Sequence, residues 1–149
     1  MSLQLGEEIR GLVDGALMGG HPMILAVVDP QGRPRLSFRG SLHSLDDARL
    51  CFWARDRDGR TIRAIAANPN VAVMLRIPSA PTILQFSGAA RLAADAKESS
   101  AIFEGAPEVE QRADPDRKGV GVVIDLERVE GLLGLDAEGG RRFVRLLAD

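Results

Sequence analysis

Three side chains that commonly bind anions stand at the start of one short segment: Arg60, Thr61 and Arg63, in the stretch DRDGRTIRAIAANPNVAVML. Apolar residues at helical spacing follow, and Asn68-Pro69 ends the pattern, so the segment is predicted to be a short helix. A helix N-terminus presents unpaired backbone N–H groups and the positive end of the helix dipole. Arginines and a hydroxyl at that end therefore predict an anion site, with a phosphate as the obvious ligand.

A second basic cluster lies in the stretch RPRLSFRG, which has the alternation of a strand. Side chains alternate between the two faces of a strand, so Arg35, Ser37 and Arg39 share one face and Leu36 and Phe38 share the other. We expect the apolar pair to face the core and the three anion-binding side chains to point outward. The next strand leads into the short helix, which would bring the two clusters together.

The charge of the chain is unevenly distributed. Eight arginines stand against four aspartates between residues 33 and 63, although the whole chain of 149 residues carries a formal charge of -2. A local basic segment in an acidic chain fits a small anionic ligand better than a long polyanion, so we expect no nucleic-acid partner. A charged, solvated face remains the alternative, because Arg57 and Asp58 mix both signs.

Other site chemistries have little support in the sequence. His21, His43 and Cys51 are not spaced as metal ligands, so we expect no metal site. There is no G-x-S-x-G nucleophile motif, and Cys51 lies in an apolar strand, where a free cysteine usually packs as a small hydrophobic residue. His43 is expected to be an exposed turn residue. We therefore assign no catalytic residue, and such a chain either binds without catalysis or uses a cofactor.

The composition, with 45% hydrophobic and 27% charged residues, is that of a soluble globular protein. The length suits a single domain over residues 1–149. A single cysteine excludes an intramolecular disulfide and fits a reducing compartment. No signal peptide and no apolar run of roughly 18 residues is present, so we expect a cytoplasmic protein without a membrane segment.

The elements that must position the two clusters follow from periodicity. An apolar stripe from Leu5 to Leu17, stopped by GGHP, predicts an N-terminal helix. MILAVVD and RPRLSFRGSL predict a hairpin, ARLCFWA a third strand and NVAVMLRI a fourth. PTILQFSGAARL is a fifth strand, bent at Gly88, and AADAKESSAIFEGAP a helix capped by Asp95.

The last third of the chain completes the predicted sheet. PEVEQRADPDRKG is expected to be a loop, VGVVIDLERVEGLLGL a sixth strand broken near Gly131, and RRFVRLLAD either a seventh strand or a short helix. Six or seven antiparallel strands with a few short helices predict an α+β fold whose sheet closes into a barrel. The missing helices between strands, and the lack of a G-x-G-x-x-G or Walker loop, disfavour a Rossmann fold.

Residues 21–92, and above all Asn68-Pro69 at this distance after GRT, resemble the pyridoxamine 5'-phosphate oxidase-like family of FMN-binding proteins. The resemblance implies a Greek-key split β-barrel. It places Arg60 and Thr61 on the flavin phosphate and Arg39 as a second basic phosphate ligand. It puts the remaining cofactor contacts on three of the strands: Arg35, Ser37, Trp53, Ala54 and Gln85.

The resemblance also implies a homodimer with two flavin sites at the subunit interface. The leading hypothesis is an FMN-dependent oxidoreductase that exchanges a hydride with a small-molecule substrate. Thr61 stands where the family has a lysine, and the C-terminal Trp and Arg of the vitamin B6 oxidases have no counterpart, so vitamin B6 is not the expected substrate. The alternatives are a deazaflavin-dependent reductase on the same fold and a non-catalytic flavin- or haem-binding sensor or storage module.

Overall fold

The computed structural model describes residues 3–149, in which eight strands form one curled antiparallel sheet. The strands are β1 (Met23–Val28), β2 (Pro34–Arg39), β3 (His43–Ser44), β4 (Arg49–Ala54), β5 (Asn70–Ile77), β6 (Thr82–Leu92), β7 (Val120–Leu135) and β8 (Arg141–Leu147). Their order is β2-β1-β5-β6-β7-β4-β3, and β8 pairs with β7. The helices are α1 (Gly6–Asp14), α2 (Arg60–Ala67), α3 (Ala96–Gly105) and α4 (Glu108–Arg112).

The core lies on one face of the curled sheet, the inner face. Every second residue of β1, β5 and β6 is buried, including Leu25, Val73 and Phe86, because alternate side chains of a strand point to the same face. The helix α1 adds Ile9 and Val13 to this cluster. The burial pattern therefore leaves the opposite face of the same strands partly open to solvent.

A second, smaller core cluster fills the space between α3 and the strands β4 and β7. It contains Cys51, Trp53, Ile102, Phe103 and Val123. The Asp95 carboxylate caps α3 by accepting a hydrogen bond from the Glu98 backbone N–H (2.8 Å), as the sequence predicts. This cluster fixes the end of β4, from which the chain turns towards α2.

The short basic helix forms where the sequence predicts it. Ala64 and Ile65 of α2 are buried against the main core, and Asn68 ends the helix with an extended backbone (φ -147°) before Pro69. A residue before proline disfavours the helical conformation, which explains the stop. The chain then enters β5 directly, so α2 is held at both ends by strands.

The predicted α+β fold with an antiparallel sheet is confirmed, and so is the irregularity at Gly88, where the β6–β7 register shifts. Two local expectations change, and one open alternative is resolved. The predicted loop after Pro107 contains α4, β7 runs unbroken through Gly131, and the C-terminal segment is the strand β8. Gly131 allows this continuity because its φ of 141° is open to glycine and unfavourable for other residues.

Candidate functional site

A cleft of about 1220 Å³ opens between β2, the β1–β2 turn, the end of β4 and the start of α2. This exceeds the roughly 300–1,000 Å³ usual for small-molecule sites, so the cleft has room for a cofactor and a substrate. The cleft brings together six of the residues proposed from sequence: Arg35, Ser37, Arg39, Ala54, Arg60 and Thr61.

Arg39 links the two basic clusters. Its guanidinium donates hydrogen bonds to Thr61 Oγ1, from Nη2, and to Ser37 Oγ, from Nε at 3.2 Å. The same group lies 5.6 Å from the centroid of the Phe52 ring, within cation–π range. Burial lowers the pKa of Arg39, and the positive charge of Arg55 lowers it further. Arg39 is thus a partly desolvated cation that an anion would stabilise.

The first turn of α2 has no side-chain cap. Gly59 is the N-cap, and no acidic residue lies in the first turn. Asp56 holds the preceding turn. Its Oδ1 accepts a hydrogen bond from the Asp58 N–H (3.1 Å), and its backbone carbonyl oxygen accepts one from the Gly59 N–H (3.1 Å). The N–H groups of the first turn of α2 are therefore left for another acceptor, such as an anion.

The cleft carries more positive than negative charge, since four arginines and two aspartates line it. Arg35 is paired at 3.8 Å with Asp29, whose other oxygen accepts two backbone N–H bonds of the β1–β2 turn. Sequence reasoning missed Asp29, although its place in the turn DPQG signals such an acceptor. Among the described residues, the other three arginines make no ion pair with a carboxylate: Arg39, Arg60 and Arg63.

The expected orientation of β2 was wrong. Leu36 and Phe38 are 74% and 69% exposed, while Arg35, Ser37 and Arg39 face the cleft. The strand lies at the edge of the sheet and its inner face borders an open cleft, so the polar face points inward. This correction moves the anion-binding side chains into the cleft and leaves an apolar pair on the outer face.

Two of the proposed cofactor residues do not line the cleft. The Trp53 ring lies in the second core cluster, where Nε1 donates to Asp114 Oδ2 at 2.8 Å and the ring meets Phe103 edge to face at 4.9 Å. Gln85 is exposed on the outer face of the sheet and is paired in register with Met74 and Glu130.

Residues 7–132 match the sequence model of the family described as pyridoxamine 5'-phosphate oxidase. The chain belongs to this family. No curated protein matches it.

Several solved structures share the fold of this chain. An FMN-binding, pyridoxamine 5'-phosphate oxidase-related protein of Nostoc punctiforme is 15% identical, with a TM-score of 0.63 over 89% of this chain and 90% of its own. General stress protein 26 of Bacillus anthracis is 19% identical, with a TM-score of 0.63 over 94% and 100%. PhzG of Burkholderia lata is 14% identical, with a TM-score of 0.63 over 86% and 76%. These likenesses confirm the expected split-barrel fold.

His43 is buried in this member of the pyridoxamine 5'-phosphate oxidase family, so its expected exposure was wrong. The pairing of β3 with β4 places His43 opposite Cys51, with Nε2 3.2 Å from Sγ and Nδ1 2.7 Å from the Ser41 carbonyl oxygen. Burial lowers the pKa of His43 and raises that of Cys51, which favours the neutral form of both. The pair is a structural contact away from the cleft.

Between residues 3 and 149, no three His, Cys, Asp or Glu side chains cluster as metal ligands. Over the same residues, no helix is long and apolar enough to cross a membrane.

Proposed function

We propose that the chain binds FMN in the cleft and acts as a small flavin-dependent oxidoreductase on a small-molecule substrate. The proposal rests on one observation: Arg39, Thr61 and the uncapped first turn of α2 lie together in a cleft whose arginines Arg39, Arg60 and Arg63 have no carboxylate partner among the described residues. The likeness to an FMN-binding protein of Nostoc punctiforme supports the choice of ligand. The free, buried Cys51 supports a cytoplasmic location, because the cytoplasm is reducing.

The residues of the cleft fit a flavin phosphate. Four arginines and two aspartates leave an excess of positive charge, which complements the charge of about -1.5 to -2 on a phosphate monoester at pH 7. Arg39, Arg60 and Thr61 would hold the phosphate, while Arg35, Ser37 and the end of β4 at Ala54 would contact the rest of the cofactor. Bound FMN supplies hydride and electron transfer at its ring system. The protein holds and orients the cofactor and shields part of it from water.

We further propose that the protein is a homodimer formed through the outer face of the sheet. Leu36, Phe38, Ile83 and Phe143 are 74%, 69%, 45% and 73% exposed on strands β2, β6 and β8 of that face. Apolar groups exposed across several strands are typical of an interaction surface. Gln85 lies on the same face, so a second copy seated there would carry its own Gln85 towards the interface. Gln85 would then lie at the dimer interface and outside the cleft of its own subunit.

The dimer has a direct test in matched variants. Leu36→Asp puts a charge on the outer face, whereas Met18→Asp changes a residue that is 79% exposed between α1 and β1. Light scattering after size-exclusion chromatography should find a dimer for the wild type and Met18→Asp and a monomer for Leu36→Asp. A wild-type monomer, or two variants that behave alike, would refute the outer face as the interface.

A non-catalytic flavin-binding module is the second candidate function. The described cleft residues include arginines and two aspartates but no histidine, cysteine, lysine or tyrosine, so the cleft offers little for acid–base catalysis. A haem-binding module would need His21 or His43 as an axial ligand; neither residue lines the cleft, and His43 is buried against Cys51. Reduction of the flavin-loaded protein by a nicotinamide donor, with reoxidation by an acceptor, would favour the oxidoreductase. A loaded protein inert to every donor would favour the module.

Titration with FMN and riboflavin tests the ligand itself, because the two differ only in the phosphate. Quenching of flavin fluorescence should give tight binding for FMN and weak binding for riboflavin. Arg60→Ala should weaken FMN binding, and Arg112→Ala, which removes a charge from α4 outside the cleft, should not. Equal affinity for both flavins would refute the phosphate site, and binding of a deazaflavin cofactor in place of FMN would favour that alternative.

A further inference from the structure

The helix α4, which the sequence did not reveal, brings a carboxylate next to the anion-binding strand. Glu110 Oε1 packs on Gly40, the residue after Arg39, so closely that a Cβ on Gly40 would overlap it and lie 3.1 Å from Glu110 Cδ. Leu17 Cδ1 would lie 3.3 Å from the same Cβ, so the space beside Gly40 is already filled. A glycine at position 40 is therefore what allows the carboxylate to sit here.

The position of Glu110 is fixed by contacts of its own helix. Gln111 Nε2 donates hydrogen bonds to the carbonyl oxygens of Glu104 (3.1 Å) and Ala106 (2.8 Å), which tie α4 to the end of α3. The Glu110 backbone N–H also donates to the Pro107 carbonyl oxygen at 2.9 Å. The carboxylate is thus held on a defined scaffold rather than on a free loop.

Glu110 is half-buried and makes no ion pair with any Lys, Arg or His of the described residues. The negative charge of Glu110 nevertheless acts on Arg39. Burial lowers the pKa of Arg39 most strongly, Arg55 lowers it further, and Glu110 raises it. An unneutralised carboxylate in this position lowers the positive potential that an anion meets in the cleft, since the two negative charges repel each other.

We propose that Glu110 sets the strength of anion binding in the cleft: its carboxylate, packed on Gly40 beside Arg39, opposes the phosphate and keeps the bound flavin exchangeable. The inference rests on the proposed function, because it concerns the same phosphate site. Glu110 does not touch the ligand on this account and acts only through its charge. Its removal therefore tightens binding, which is the opposite of what loss of a ligand contact would do.

Two variants of α4 make a matched test. Glu110→Gln removes the charge beside Arg39 and keeps the shape of the side chain. Glu108→Gln removes the same charge two residues earlier, where the side chain is 76% exposed and pairs with Arg112 Nη2 at 2.6 Å. FMN and riboflavin are titrated into each protein at low salt and again in about 1 M salt, where the Debye length shrinks to roughly 3 Å. Glu110→Ala serves as a second variant should the glutamine perturb the fold.

The expected result is an FMN affinity about three- to tenfold higher for Glu110→Gln than for the wild type and Glu108→Gln, as for two unit charges several ångströms apart in a dielectric close to that of water. The gain should shrink in high salt, and riboflavin binding should not change. If FMN binds better than riboflavin but Glu110→Gln behaves as Glu108→Gln does, or binds FMN more weakly, this inference is wrong and the proposed function stands. A wild type that does not distinguish FMN from riboflavin would refute both.

Discussion

Replacement of Arg39 by glutamine is expected to weaken FMN binding strongly and leave the fold intact. Arg39 bonds to Thr61 and Ser37 at the point where β2 meets α2, and none of the described carboxylates pairs with it. A phosphate there would gain a charge-assisted hydrogen bond, and loss of such a bond costs about 1.5–3 kcal/mol. The dissociation constant for FMN should therefore rise about 10- to 150-fold.

Fluorescence titration of the Arg39→Gln protein with FMN and with riboflavin measures this effect. The riboflavin constant should stay within about twofold of the wild type, because the neutral ligand has no phosphate for Arg39 to bind. Arg112→Gln, a 73% exposed position on α4, controls for the change in net charge. Thermal unfolding controls for the fold. Equal losses for FMN and riboflavin, or an unchanged FMN constant in a folded variant, would refute the assignment of Arg39 to the phosphate.

Three further outcomes test the fold away from the cleft. Hydrogen bonding to Arg91 lowers the pKa of Glu98 in the folded protein. The ionised Glu98 side chain therefore stabilises the fold fully above about pH 4.3, where the unfolded side chain titrates, and this stabilisation is lost as the pH falls through the lower folded pKa. Glu98→Gln should lower Tm by about 2–4 °C at pH 7 and by less at pH 3. Gly88→Ala should destabilise the protein by more than about 2 kcal/mol in urea unfolding, because the added Cβ would overlap the Asp125 carbonyl oxygen. Gly11→Ala, on the open face of α1, is the control and should stabilise the protein slightly. Asp114→Asn should lower Tm and shift the emission of Trp53, its hydrogen-bond donor, and an unchanged spectrum would contradict the buried contact.

The position of α2 could be predicted from the sequence because its signals are local. The apolar stripe of Ile62 and Ile65, the glycine before Arg60 and the Pro69 stop lie within ten residues of one another. The same holds for β5, whose alternation is read directly from the chain. The gathering of Arg39 and Thr61 at one cleft then follows from the resemblance to a known family, and the structure shows their hydrogen bond.

The face of β2 could not be predicted, because alternation fixes which residues share a face but not which face is inside. Leu36 and Phe38 point outward since β2 lies at the edge of the sheet and borders a cleft. His43 was misjudged for a similar reason. Its burial depends on the pairing of β3 with β4 and on contact with Cys51, eight residues away.

The helix α4 and the partner of Trp53 depend on contacts that periodicity does not contain. A five-residue helix has too few turns for an apolar stripe, and α4 is held by the side chain of Gln111 on two carbonyl oxygens of another segment. Asp114 meets Trp53 across 61 residues of chain. Such pairings appear only once the sheet has brought the two segments together.

A crystal structure of the protein with FMN tests the central claim most directly. The phosphate should lie in the cleft, with its oxygens within hydrogen-bond distance of the Arg39 guanidinium, Thr61 Oγ1 and the first N–H groups of α2. A phosphate bound elsewhere on the protein, or a cleft that stays without FMN at saturating concentration, would contradict the account.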